Sequence, residues 1–259
     1  MRQHCQETRR IGTGGRGESE FNGGSPATLP GKVVPMEFSD RTQAGQLLAA
    51  KLGRYAGRPD TLVLALPRGG VPVGAVVAQA LHAPLDVLVV RKLGLPGNEE
   101  LAMGAVSAGG VRVLNASVMD SFGVSDGVIE HVAARESREV ERREQAYRRG
   151  RPAPEVHGKY VILVDDGIAT GSTMRAAIAV LRELQAGHIV VAVPVAARDS
   201  YLELRRLADE FVALLIPRDF GAVGQFYADF GQTGDAEVRR LLEAGTVQPA
   251  ASAVEHRVR

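Results

Sequence analysis

Thirteen consecutive residues, Val161 to Thr173 (VILVDDGIATGST), constrain this chain more than any other stretch. Val161 to Val164 form a short apolar run, the pattern of a strand buried on both faces of a parallel sheet. Two adjacent carboxylates, Asp165 and Asp166, follow at once. A turn of small residues then opens into a helical stretch from Met174 to Leu184. A loop of this kind at a helix N-terminus offers free backbone N–H groups and the positive end of the helix dipole, a combination that attracts a phosphate. The hydroxyls of Thr170, Ser172 and Thr173 add donors, and the two acids can accept hydrogen bonds from the vicinal hydroxyls of a ribose. Read plainly, the segment is a strand–helix turn of an α/β domain. Like charges placed side by side are costly unless something binds them, which favours a ligand site. A Walker A loop is excluded, because no Gly-Lys-Ser/Thr occurs here.

VILVDDGIATGST resembles the phosphoribosyl-pyrophosphate (PRPP) motif of the type I phosphoribosyltransferases. The resemblance implies that Asp165 and Asp166 hold the ribose 2′ and 3′ hydroxyls, and that Ala169, Thr170, Gly171, Ser172 and Thr173 wrap the 5′-phosphate. It also implies the fold, an α/β open twisted mainly parallel sheet flanked by helices, with a small C-terminal hood at about 196–234. Strands alternating with helices along the chain agree with such a sheet.

Composition narrows the remaining classes. The chain has 259 residues, 45% hydrophobic and 24% charged, with a formal net charge of +1. That balance makes no electrostatic case for nucleic acid or an anionic membrane. No apolar run approaches the roughly 20 residues that span a bilayer, and the N-terminus lacks the apolar core of a signal peptide. The one cysteine, Cys5, excludes an internal disulfide and fits a reducing compartment; a cytoplasmic protein is expected. The six histidines are scattered without metal-ligand spacing.

Residues 1–35 are rich in Gly, Arg, Ser and Pro and read as a disordered tail, with Met36 a candidate true start. A phosphoribosyltransferase domain is expected over 36–245, and a frayed end over 246–259. Within the domain, Ser39 is expected to cap a first helix. Strands are expected at 61–66 and 86–91, a Gly/Pro-rich loop at 92–100, and a short hairpin around Gly109-Gly110. The highly charged helix at 125–149 reads as a solvated helix laced with ion pairs, or else as a dimer contact or lid.

Three further segments leave strands toward the ligand side of such a sheet. Pro67-Arg68-Gly69-Gly70 lies where the family grips pyrophosphate. Its paired glycines admit close backbone approach to an anion, and Arg68 adds a bidentate contact. Residues 91–104 resemble the family's flexible catalytic loop, with Arg91 and Lys92 placed to neutralise the leaving pyrophosphate; no spacing selects between Glu99 and Glu100. In the hood, Phe226 and Tyr227 are candidates to stack on an acceptor base, or else form the hood's own core. The run 222–229 resembles the hood of 6-oxopurine phosphoribosyltransferases loosely, without their preceding lysine, for which Arg198 is a stand-in. Signatures at 91–104 and 223–230 are also similar to an uncharacterised bacterial phosphoribosyltransferase-domain group, a likeness spanning about 37–244.

The resemblance implies a Mg²⁺-dependent transfer of 5-phosphoribosyl from PRPP to a nitrogen acceptor, in a homodimer. A PRPP-binding regulator without catalysis is the alternative. A PRPP-producing pyrophosphokinase would need a duplicated domain, and no repeat is visible.

Overall fold

The computed structural model describes residues 37–245. Cys5, the Met36 start and the two expected tails lie outside the described residues.

The centre is a five-stranded all-parallel sheet of order β2-β1-β6-β7-β8. Its strands are β1 (Thr61–Ala65), β2 (Leu85–Val87), β6 (Tyr160–Val164), β7 (His188–Val195) and β8 (Glu210–Leu215). A second, antiparallel sheet contains β3 (Val90–Leu95), β4 (Asn98–Ser107) and β5 (Arg112–Leu114). The helices are α1 (Arg41–Lys51), α2 (Gly70–Leu81), α3 (Ala116–Phe122), α4 (Asp126–Arg148), α5 (Ser172–Glu183), α6 (Arg198–Leu204) and α7 (Asp235–Gly245).

Side-chain alternation along the central strands builds two cores. Val63 and Ala65 of β1, Ile162 and Val164 of β6, and Val190 and Ala192 of β7 face α1, α2, α4 and α7. Leu62 and Leu64, Val161 and Leu163, and Ile189, Val191 and Val193 face α5 and α6. Successive strand residues point to opposite faces, so a strand covered on both sides must be apolar throughout. α5 meets its core with Met174, Ala177, Ile178 and Leu181, one stripe at helical spacing.

The connections decide where a ligand fits. β1 runs through α2 to β2 on one side, and β6 runs through α5 to β7 on the other. The two helices leave on opposite faces, so a crevice opens beyond the carboxyl ends of β1 and β6, the switch point of the sheet. The ladder pairs Ala65 with Val164, and the Leu66 N–H donates to the Val164 carbonyl at 2.9 Å. The Pro67–Gly70 turn and the Asp165–Asp166 pair therefore leave neighbouring strands side by side.

Five local expectations change. The strand expected at 86–91 is split between β2 and β3, which belong to different sheets. Asp40 rather than Ser39 caps α1, accepting the Gln43 N–H at 2.7 Å. The expected loop at 92–100 is a hairpin: β3 and β4 pair from Val90↔Ser107 to Leu95↔Asn98, and Pro96-Gly97 makes the two-residue turn with Gly97 at φ 84°. A Pro-Gly pair reads as loop, whereas here it closes a ladder that satisfies the flanking backbone groups. The charged helix α4 is not solvated all round, since it buries Ile129, Val132, Ala133, Glu136, Val140 and Tyr147. Finally, β8 joins the main sheet, so the part of the expected hood from Arg198 to Leu215 belongs to the α/β layers and the covering segment begins after it.

Nothing lies within 4 Å of a Cβ added at Gly97, so its left-handed backbone alone sets the cost of a side chain there. Gly97→Ala should lower unfolding free energy by roughly 1 kcal/mol, read as a shift in urea midpoint. A flexible loop at this position would give no shift.

Candidate functional site

Beyond the switch point lies a cavity of about 440 Å³, lined by Arg41, Arg68, Gly69, Asp165, Asp166, Thr173 and the segment Phe230–Thr233, among others. It joins parts of three sequence-selected pieces: Pro67, Arg68 and Gly69 of the turn, the acid pair, and Thr173 at the end of the small-residue loop. The Pro67–Arg68 peptide is cis.

The approach of the turn to the acids is what requires glycine there. A Cβ on Gly69 would sit 2.0 Å from Asp166 Oδ2, and one on Gly70 would sit 2.8 Å from the Val164 carbonyl oxygen and 2.9 Å from Asp165 Cα. Arg68 points along the same wall, 3.7 Å from Asp235 at the start of α7, and stays 41% exposed.

The loop from Gly167 to Thr173 is anchored at its base and open at its tip. The Ile168 N–H donates to the Val195 carbonyl (2.9 Å), the Ala197 N–H donates to the Ile168 carbonyl (2.8 Å), and the Ser200 hydroxyl donates to the Ala169 carbonyl (2.5 Å). Gly171 takes a left-handed conformation at φ 72° and starts α5. Ala169, Thr170 and Thr173 are exposed, and the Thr170 and Ser172 hydroxyls lie 3.2 Å apart. The first N–H groups of α5 have no partners inside the helix; of residues 169–173, Thr173 lines the cavity and Ala169, Thr170, Gly171 and Ser172 do not.

The acids are held by different donors. Asp165 Oδ1 accepts the Asp166 N–H at 2.9 Å. Asp166 Oδ2 accepts from Arg41, from Nε at 2.9 Å and from Nη2 at 2.8 Å. Burial raises the Asp165 carboxyl well above the usual carboxylate range, and the neighbouring Asp166 charge pushes it further. Burial also raises Asp166, against the opposing pull of Arg41. The described residues contain no group of three or more His, Cys, Asp or Glu side chains able to hold a metal ion.

Other expected site residues fall elsewhere. Phe226 and Tyr227 are each 4% exposed and pack with Phe38, Ala44 and Val195. Their rings therefore present no face to an acceptor; they form the core under the covering segment. The Tyr227 hydroxyl donates to the Asp166 carbonyl at 2.6 Å. Phe230, 37% exposed, is the aromatic residue that lines the cavity. Arg91 lies on β3, ion-paired with Glu136 of α4 at 2.8 Å, and Lys92 is half-buried on the same strand. Neither lines the cavity. Glu99 and Glu100 lie in β4, with Glu99 beside Gly94. Arg198 begins α6. Arg41 escaped the sequence reading: one arginine at the start of a helix has no spacing that marks it.

An all-parallel α/β sheet with an acid pair, a glycine turn and a small-residue helix-opening loop at one switch point defines an α/β class whose ligand crevice lies beyond the carboxyl ends of β1 and β6. The chain belongs to the phosphoribosyl transferase domain family, whose pattern it matches over residues 40–230. Two Mycobacterium tuberculosis proteins, from strains H37Rv and CDC 1551, carry the provisional name of phosphoribosyl transferase; each is 45% identical over 222 residues, 83% of this chain. The chain spans about half (50%) of the length of those curated relatives. The crystal structure of TT1426 from Thermus thermophilus is similar at 44% identity with a TM-score of 0.76, over 81% of this chain and 99% of that one. Among the described residues no helix is long and apolar enough to cross a membrane.

The raised Asp165 carboxyl gives a stability prediction with a definite sign. A carboxyl whose folded pKa lies above its unfolded value binds its proton more tightly in the native state. Ligand-free stability therefore falls as pH rises from the ordinary value of 3.8 through the raised one. Asp165→Asn should melt higher than the parent at neutral pH, and the two should converge below the ordinary carboxylate range. Thermal melts of both proteins across pH check this; parallel curves would contradict it.

Proposed function

We propose that this chain transfers 5-phosphoribosyl from PRPP to a nitrogen acceptor, releasing pyrophosphate. The carrying observation is the cavity shared by Arg68, Gly69, Asp165, Asp166 and Thr173. Three ligand chemistries meet there, and PRPP carries all three: a diphosphate, a vicinal diol and a terminal phosphate.

In this reading the N–H groups and hydroxyls of 169–173 bind the 5′-phosphate. That group is remote from the reacting carbon, so its binding energy positions the carbon. Asp165 and Asp166 accept the ribose hydroxyls and favour positive charge on the ring as the anomeric C–O bond breaks. Pyrophosphate leaves with the bonding electrons, a C–N bond forms, and the acceptor nitrogen loses its proton. Arg68 and the backbone of Gly69 and Gly70 stabilise the charge growing on pyrophosphate. Mg²⁺ keeps waters and favours phosphate oxygens, so no full protein cage is needed. It would enter bound to PRPP, and there it would neutralise the diphosphate. The segment 230–233 bounds the acceptor side, and a nucleobase is the acceptor class we favour. A homodimer and a cytoplasmic setting complete the proposal.

One observation supports a second reading, a PRPP-binding regulator: the cation expected over the leaving group, Arg91, is committed to Glu136. A panel of purine, pyrimidine and other nitrogen acceptors with Mg²⁺ and PRPP separates the two. Pyrophosphate release with one acceptor supports the transferase and names its substrate. Saturable PRPP binding without release, on any acceptor, supports the regulator. Asp166→Asn should weaken PRPP binding or transfer by roughly 1.5–3 kcal/mol, the range for a hydrogen bond to a charged group. Unchanged affinity and rate in that variant would remove Asp166 from the site.

A further inference from the structure

Arg41, which the sequence did not single out, makes three polar contacts at the cavity. Its Nε and Nη2 meet Asp166 Oδ2 at 2.9 and 2.8 Å, its Nη1 donates to the Gly231 carbonyl at 2.7 Å, and its Cζ lies 4.0 Å from the centre of the Phe230 ring. The Arg41 and Asp166 side chains keep only 12% and 13% exposure. A pair so far withdrawn from water is costly to break from either side. The backbone places Arg41 there: the Phe38 N–H donates to Phe226, and the Ala228 and Asp229 N–H groups donate to Phe38 and Ser39, all at 2.8–2.9 Å. Asp40 then caps the helix that Arg41 begins.

These contacts have a consequence for the diol. Asp166 spends Oδ2 on the guanidinium, and Asp165 spends Oδ1 on the Asp166 N–H. One oxygen remains on each acid, Asp165 Oδ2 and Asp166 Oδ1. Two hydroxyl donors of a ribose need two acceptors, and a carboxylate held at one oxygen presents the other in a fixed direction. The same guanidinium carries Phe230 and Gly231, which line the cavity beside it. The wall on the acceptor side is thus hung from the group that orients the diol acid.

We propose that Arg41 is a positioning residue coupling the two halves of the site: it aims Asp166 at the ribose diol and fixes the Phe230–Gly231 wall against which the acceptor lies. This inference rests on the transferase reading for its substrate, and on the bridge itself for its mechanics. A lysine does not replace it, because one ammonium lacks the planar fork that spans a carboxylate and a carbonyl while stacking on a ring.

The test has two independent readouts. The first is PRPP affinity by calorimetry with Mg²⁺ present. Arg41→Ala should weaken binding by roughly 10- to 150-fold, the loss expected for a hydrogen bond to a charged group. Millimolar guanidinium should restore much of it, and Arg41→Lys should not. Phe230→Leu should weaken binding in the parent and add nothing in the Arg41→Ala background, because it acts through Arg41. The second readout is amide hydrogen exchange at residues 229–233, which needs no ligand and should quicken in Arg41→Ala and in Asp166→Asn. Parent-like affinity, tighter binding, or additive effects of Phe230→Leu would overturn the inference, as would unchanged exchange. Arg41→Gln replaces the alanine variant if that does not fold. A parent protein that binds no PRPP overturns the proposed function instead, and exchange at 229–233 then decides the coupling alone.

Discussion

The site depends on how closely β1 and β6 bring their trailing loops together. Their parallel ladder ends in the Leu66 N–H to Val164 carbonyl bond, and one residue later the chain carries an acid on one strand and a turn on the other. The separation is so small that a methyl group at Gly69 would overlap Asp166. A larger residue there would push the acid pair away from the start of α5, and Gly69, the two acids and Thr173 would no longer share a cavity. The double core beneath holds this spacing. Alternate residues of β1 and β6 are locked into opposite hydrophobic layers, so neither strand can slide without moving its whole apolar set.

The acid pair is a local liability that the fold tolerates. Burial raises the proton affinity of both carboxyls, and the Asp166 charge raises that of Asp165 further. Such arrangements gather at functional sites because a structure built for stability alone has no use for them. The surroundings offset the cost in part. Arg41 supplies a charge to Asp166, and a backbone N–H holds Asp165.

How much of this was legible in the sequence follows from what each feature requires. Val161–Val164 is apolar because both faces of β6 are covered, so the strand reads directly. The acids and glycines after it are local in sequence and could be assigned together. The β3–β4 hairpin was not legible, because Lys92 to Glu100 carries the glycines and proline of a loop while its pairing depends on a partner strand. The aromatic residues near the C-terminus were legible as a cluster but not in their direction. Phe226 and Tyr227 turn inward because Phe38, far away in the chain, pairs with them. Arg41 was illegible for the same reason: its partners Asp166 and Gly231 lie 125 and 190 residues away.

Asp166 is held at both ends, and this limits how the cavity can open. Its carbonyl accepts the Tyr227 hydroxyl and its carboxylate accepts Arg41. Lifting the covering segment as a unit would break the Tyr227–Asp166 and Arg41–Gly231 bonds, unzip the Phe38 pairing and expose the buried rings of Phe38, Phe226 and Tyr227. Burying one such aromatic side chain is worth about 1.5–3 kcal/mol, so a whole-segment opening forfeits several times that amount. Residues 228–232 are exposed, and Phe230 touches the body through Arg41, Tyr227 and the close approach at Gly224. Freedom to move therefore resides in that short stretch, with the aromatic core beneath acting as a fixed base. The group that ties the stretch down is the same guanidinium that holds Asp166, so the two walls of the cavity are joined through one side chain.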